Sequence, residues 1–139
     1  MASNRIERLI DAPAGQVWDA IRDLGALHTR LVPGFVVDTV PEPGARVVTF
    51  GNGMVVREVV VDVDDARRRF AYSVRAEGFE HHNASNEILD EGENRCRFIW
   101  IADLLPDALA ATVGEMMGQG ADVLKATMEK AAGSLLNKD

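Results

Sequence analysis

The hydrophobic pattern changes period three times along the chain. Arg5-Ile6-Glu7-Arg8-Leu9-Ile10 mixes apolar and charged residues as a strand with one wet face does. Asp11-Ala12-Pro13-Ala14 then reads as a helix start, with Asp11 capping the orphan N–H groups and Pro13 in the first turn. Val17, Trp18, Ile21 and Leu24 follow at helical spacing, Gly25 ends that helix, and Ala26 to Leu31 forms a second short one before Pro33-Gly34. From Phe35 the period becomes that of strands. Phe35-Val36-Val37 and Arg46-Val47-Val48-Thr49-Phe50 are β-branched and aromatic. Asn52-Gly53, where both residues tolerate positive φ, marks a hairpin whose returning strand is Met54 to Val63. Asp64-Asp65-Ala66 turns into Arg68 to Arg75, Glu77-Gly78 into the strand around residues 80–88, and Asp90 to Asn94 into Arg95 to Leu104. Pro106-Asp107 opens a long helix running to about Leu136. Its apolar stripe is Leu109, Val113, Met116, Met117, Leu124, Met128, Ala131 and Leu135.

Tight turns between successive strands imply an antiparallel meander. The expected fold is α+β: a seven-stranded curved antiparallel sheet wrapped around the long C-terminal helix, with two short helices between strands 1 and 2. A sheet with one apolar face and one amphipathic helix buries both by folding together, and a gap between them is a natural ligand site.

Composition narrows the function classes. The 139 residues suit one domain, expected here over residues 1–139, and 47 % hydrophobic with 27 % charged residues is a globular balance. A net charge of −7, with no basic stripe beyond Arg67-Arg68-Arg69, argues against nucleic acid. The single cysteine, Cys96, excludes an internal disulfide and a multi-cysteine zinc cluster. The N-terminal MASNRIERLIDAP has no apolar core of a signal peptide, and no apolar run is long enough to span a bilayer, so a cytoplasmic location is expected. Monomer and homodimer both remain open.

Several stretches carry a resemblance. Ile10-Asp11-Ala12-Pro13 with Val17-Trp18 and Asp23-Leu24-Gly25, then Arg57-Glu58-Val59-Val60 with Asp64-Asp65 and Arg69-Phe70-Ala71-Tyr72, then Phe98-Ile99-Trp100 with Pro106, run in order over nearly the whole chain. In this the sequence resembles the START-like (SRPBCC) superfamily of helix-grip proteins, which includes polyketide cyclase/dehydrase-like proteins, the birch-pollen-allergen family and the abscisic-acid receptors. The resemblance implies a deep apolar cavity for lipids, polyketides or other hydrophobic molecules. It implies no single reaction, because fold is a weak guide to function. The chain departs from the family pattern in three places. No Trp-x-Pro element lies in Leu27 to Pro33. Asn83-Ala84 stands where the family has Asn-Tyr. The loop Gly51-Asn52-Gly53 is too short for the closing loop of the hormone receptors.

Alternation sorts the side chains. On the last strand Cys96, Phe98, Trp100, Ala102 and Leu104 face in, opposite Arg95, Arg97 and Asp103. On the fourth, Met54, Val56, Glu58 and Val60 face in and Arg57 out. On the fifth, Phe70, Tyr72 and Val74 face in and Arg69, Ser73 and Arg75 out. The segment EHHNASNEI divides into His82, Ala84, Asn86 and Ile88 on one face and His81, Asn83, Ser85, Glu87 and Leu89 on the other. The first, with the smaller polar load, is assigned inward, although a one-residue change in the following hairpin reverses the choice. His81 and His82 then point apart, which removes them as a paired metal site, and no metal or other cofactor is called for.

Glu58 is the sharpest residue, a carboxylate inside an apolar barrel. It is either a structural group bonded to water or Tyr72, or a ligand-orienting group or general base acting with His82. The remaining candidate ligand contacts are Val56, Ala84, Asn86, Phe98 and Trp100 on the sheet and Val113, Met116, Met117 and Gly120 on the helix. Gly114, Gly118 and Gly120 weaken that helix; they mark a kink, a close approach to the sheet, or a segment that swings to admit ligand. The leading expectation is binding of one hydrophobic small molecule. The alternative is a cofactor-independent cyclase/dehydrase or lyase, and the third reading is an interaction module with a vestigial pocket.

Overall fold

The computed structural model describes residues 1–136, with side chains placed through residue 133. The order is β1 (Ala2–Ile10), α1 (Ala14–Arg22), a π-type turn (Leu27–Leu31), β2 (Val36–Glu42), β3 (Ala45–Phe50), β4 (Val55–Asp64), β5 (Arg69–Arg75), β6 (His81–Asp90), β7 (Cys96–Leu105), a 3₁₀ turn (Asp107–Leu109) and α2 (Ala110–Leu136). The seven strands form one antiparallel sheet in the order β1-β7-β6-β5-β4-β3-β2. This is the expected helix-grip α+β architecture. Each chain neighbour from β2 to β7 is also a sheet neighbour, because the turns are too short for a crossover.

The β3–β4 hairpin sets a register that matters later. Gly53 N donates to Phe50 O and Phe50 N to Met54 O, with Gly53 at φ 91°, a conformation that favours glycine. From this turn the pairs run Thr49↔Val55, Val48↔Val56, Val47↔Arg57 and Arg46↔Glu58. A bulge between Val60 and Asp62 restarts the β4–β5 register near the far end.

The core lies between the sheet's inner face and the helices. Phe70, Phe98, Ile88, Leu104 and Cys96 are fully buried, and Val17, Trp18 and Ile21 bury the apolar stripe of α1 against the same cluster. α2 is fastened along β1 by polar bonds: Asn4 Nδ2 donates to Ala110 O at 2.9 Å, Arg8 Nε to Asp122 at 2.8 Å and Lys125 Nζ to Leu9 O at 2.6 Å.

Local expectations fail where a tertiary partner intervenes. Asp11 does not cap α1. Its backbone N–H donates to Glu129 and its carboxylate pairs with Arg95, while Pro13 O accepts from Gln16 and Val17. The first helix ends at Arg22, with Asp23 rather than Gly25 closing it. On α2 the core position is Ala132 in place of Ala131, and Ala121 joins it at zero exposure. The side chain of Leu135 lies outside the described residues. Ser73 and Ser85 stay on the outer face, yet both are buried, because small side chains there are shadowed by the flanking strands.

Candidate functional site

Between the sheet's inner face and α2 lies a cavity of about 300 Å³, at the lower end of the range for small-molecule sites. Its body is apolar, formed by Leu31, Val56, Val74, Phe98, Met117 and Leu124 among others. The more exposed wall residues, Met54, Glu77, Gly78 and Thr112, come from the β3–β4 turn, the β5–β6 turn and the start of α2 and mark the mouth. Two aromatic rings meet edge-on there: Phe35 and Phe50, with centroids 5.5 Å apart.

The wall includes Val56, Glu58, Tyr72, His82, Asn86, Phe98 and Trp100 from the sheet and Val113, Met116, Met117 and Gly120 from α2. Ala84 is the exception. It is buried but forms no part of the wall, because its methyl group is short and sits between its strand partners Tyr72 and Ala102. The segment EHHNASNEI places His82 and Asn86 on the cavity side and leaves Asn83 exposed.

Glu58 is an ion-pair member. Arg46 Nε donates to its Oε1 at 2.8 Å, and the two side chains are 5 % and 9 % exposed. The Arg46 guanidinium also lies 5.2 Å above the Phe70 ring centre and reaches Leu24 O. Arg46 is a wall residue that charge-out reasoning misses. The signal was present: an inward Glu58 makes its hairpin partner inward as well, and the turn at Gly51–Gly53 pairs residue 58 with residue 46.

Tyr72 holds the second polar position. Trp100 Nε1–H donates to its hydroxyl at 3.0 Å. Burial, reinforced by the Glu58 carboxylate nearby, pushes the phenol far above its ordinary value, so it stays protonated. The bond from Trp100 is the one it makes, so its own hydrogen has no receiver among the described residues. His82 is pushed down to about 4, by burial first and by His81 second, and is neutral at pH 7. Its Nδ1 is buried without a hydrogen-bond partner, and its ring packs on Phe79 at 4.9 Å.

Glu58 and His82 do not form a bonded pair. Glu58 sits opposite Val74, and the β5–β6 register, continued one residue past Ser73↔Asn83, sets His82 opposite Val74 on the other side. Two strand spacings, about 10 Å, separate their backbones. The third histidine, His28, has its Nδ1 3.0 Å from Thr39 Oγ1. Among the described residues, no three His, Cys, Asp or Glu side chains converge as metal ligands.

The helix glycines divide by face. A Cβ on Gly114 would lie 3.5 Å from the Asn4 side chain and one on Gly118 would lie 3.8 Å from Arg8, so these two sit against β1. A Cβ on Gly120 would lie 2.9 Å from Phe35, on the cavity side. The glycines thus mark close approach, and α2 runs unbroken through them.

Comparison with known proteins places this geometry. No curated protein matches the sequence. Among solved structures, the protein XoxI from Bacillus cereus superposes with a TM-score of 0.81 at 16 % identity, covering 99 % of both chains. A START superfamily protein from Mycobacterium smegmatis gives 0.71 at 10 % identity, covering 96 % of this chain and 98 % of that one. Norcoclaurine synthase from Thalictrum flavum, solved with dopamine and hydroxybenzaldehyde, gives 0.70 at 15 % identity, covering 99 % and 88 %. At these identities the likeness establishes the fold alone. The family model described as "Polyketide cyclase / dehydrase and lipid transport" matches residues 1–129, and the chain belongs to that family.

Proposed function

We propose that this protein binds one predominantly apolar small molecule in the cavity between the sheet and α2, as a single ligand-binding domain. The observation that carries this is the cavity itself: about 300 Å³ of space with an apolar body and a few clustered polar groups. A fold that used this interior only for stability would fill it with side chains to crystal-like density. Membership of a family described by polyketide cyclisation and lipid transport supports the same reading.

The acid–base alternative has less support. Glu58 is engaged by Arg46, burial makes His82 a weak base, and the two face the cavity from different strands.

Titration with the neutral fluorophore N-phenyl-1-naphthylamine tests the proposal. Saturable binding at one site per chain is expected, together with its loss in Met117→Trp, where an indole fills the cavity. Binding that is absent, unsaturable or indifferent to Met117→Trp refutes it. Extraction and mass spectrometry of co-purifying molecules identify the ligand class.

A further inference from the structure

We infer that the cavity selects an uncharged ligand with a hydrogen-bond-accepting oxygen, which takes the Tyr72 hydroxyl hydrogen while the apolar body occupies the remaining space. This rests on the binding reading above and narrows it.

The charge balance of the wall excludes an acidic head group. Among the described residues Arg46 is the only Lys or Arg side chain in the wall, and Glu58 already neutralises it at 2.8 Å. An acidic ligand would displace Glu58, leaving that carboxylate buried without its partner, bury its own charge unpaired, or have to protonate His82 against the burial that keeps that ring neutral. Each is costly in a low-dielectric site. The other wall carboxylate, Glu77, is exposed at the mouth and repels an anion further. A cationic group finds no free interior carboxylate, since Glu58 is committed to Arg46.

The hydrogen-bond balance calls for an acceptor oxygen, which a ketone supplies in its simplest form. A tyrosine hydroxyl has one hydrogen to give and two lone pairs to receive. Trp100 Nε1, a donor only, fills one lone pair at 3.0 Å. That bond fixes the Tyr72 oxygen and leaves its hydrogen without a receiver among the described residues. A buried donor without an acceptor is unfavourable, so the site favours a molecule that supplies one. Asn86, the direct strand partner of Trp100, brings its amide into the same wall. Trp100 thus acts as a positioning residue and Tyr72 as the group that touches the ligand.

Three ligands of one outline test this: 2-acetonaphthalene, 2-ethylnaphthalene and 2-naphthoate, titrated calorimetrically at pH 7.5 into wild type, Tyr72→Phe and Trp100→Phe. The readout is the ketone-to-hydrocarbon affinity ratio, in which transfer from water cancels between variants. Tyr72→Phe is expected to lower the ratio about three- to tenfold, the worth of one neutral hydrogen bond. Trp100→Phe lowers it in the same direction, and the hydrocarbon binds all three proteins within about threefold, as a purely structural effect of either substitution would not allow. Naphthoate binds wild type at least about tenfold more weakly than the ketone. A ratio unchanged in Tyr72→Phe, or naphthoate binding as tightly as the ketone, overturns the inference while the binding proposal stands. A ratio unchanged in Trp100→Phe alone removes that residue's positioning role. If none of the three binds while N-phenyl-1-naphthylamine does, the inference falls alone; if the fluorophore fails as well, the binding proposal falls and takes the inference with it.

Discussion

Removing either partner of the Arg46–Glu58 pair should destabilise the fold far more than removing both. The side chains are 5 % and 9 % exposed and meet at 2.8 Å. With charge centres about 4 Å apart and an effective dielectric near 20, their attraction is about 4 kcal/mol. Arg46→Met forfeits that attraction and leaves Glu58 facing apolar neighbours; Glu58→Leu does the same to Arg46, which keeps only Leu24 O and the Phe70 ring. Each single substitution is expected to cost about 3–5 kcal/mol. The double variant has no buried charge left and similar volume, so it should lie within about 1–2 kcal/mol of wild type. Urea unfolding of the four proteins gives a double-mutant cycle whose coupling should exceed about 2 kcal/mol. Singles that cost under about 1 kcal/mol with negligible coupling would falsify the picture of a sealed pair, and with it the argument that Arg46 is closed to acidic ligands.

Two further predictions follow from titration and backbone. His82 is depressed to about 4 in the fold against about 6.5 unfolded, so the unfolded chain binds the extra proton between those values. Stability is therefore full above pH 6.5 and declines as pH falls toward 4. Discounted for the part of the ring that solvent reaches, wild type should lose about 1 kcal/mol more than His82→Gln between pH 7.5 and 5, and parallel pH profiles for the two would count against the assigned burial. A Cβ on Gly133 would meet nothing within 4 Å, so Gly133→Ala should raise stability by about 0.5–1 kcal/mol. Gly120→Ala should give no such gain and should weaken fluorophore binding, because its Cβ meets Phe35 at 2.9 Å; equal stabilisation by both would refute the close approach.

The sequence made the fold legible because its periods are clean. Alternation assigned Cys96, Phe98 and Leu104 inward, and all three are fully buried. Alternation was not applied to the strand of Arg46, and its inward place follows from pairing with Glu58, which is a property of register between strands. Asp11 had the chemistry of a helix cap, yet two partners distant in sequence, Arg95 and Glu129, engage it instead. Tyr72 and Trp100 were both read as inward, but their mutual bond joins residues two strands apart, and no local pattern encodes it. Ala84 shows the converse limit: facing inward does not bring a small side chain as far as the space that larger ones enclose.

α2 separates its two contacts by position. Ala110, Gly114, Gly118 and Asp122 recur every fourth residue against β1, whereas Val113, Met116, Met117, Gly120 and Leu124 meet the cavity. Substitutions in the second set change the size and shape of the space without disturbing the seam that fastens the helix. One scaffold can therefore be re-cut for ligands of different bulk by changing a handful of residues along a single helix, and relatives that share little sequence can diverge in what they hold while keeping the way they close.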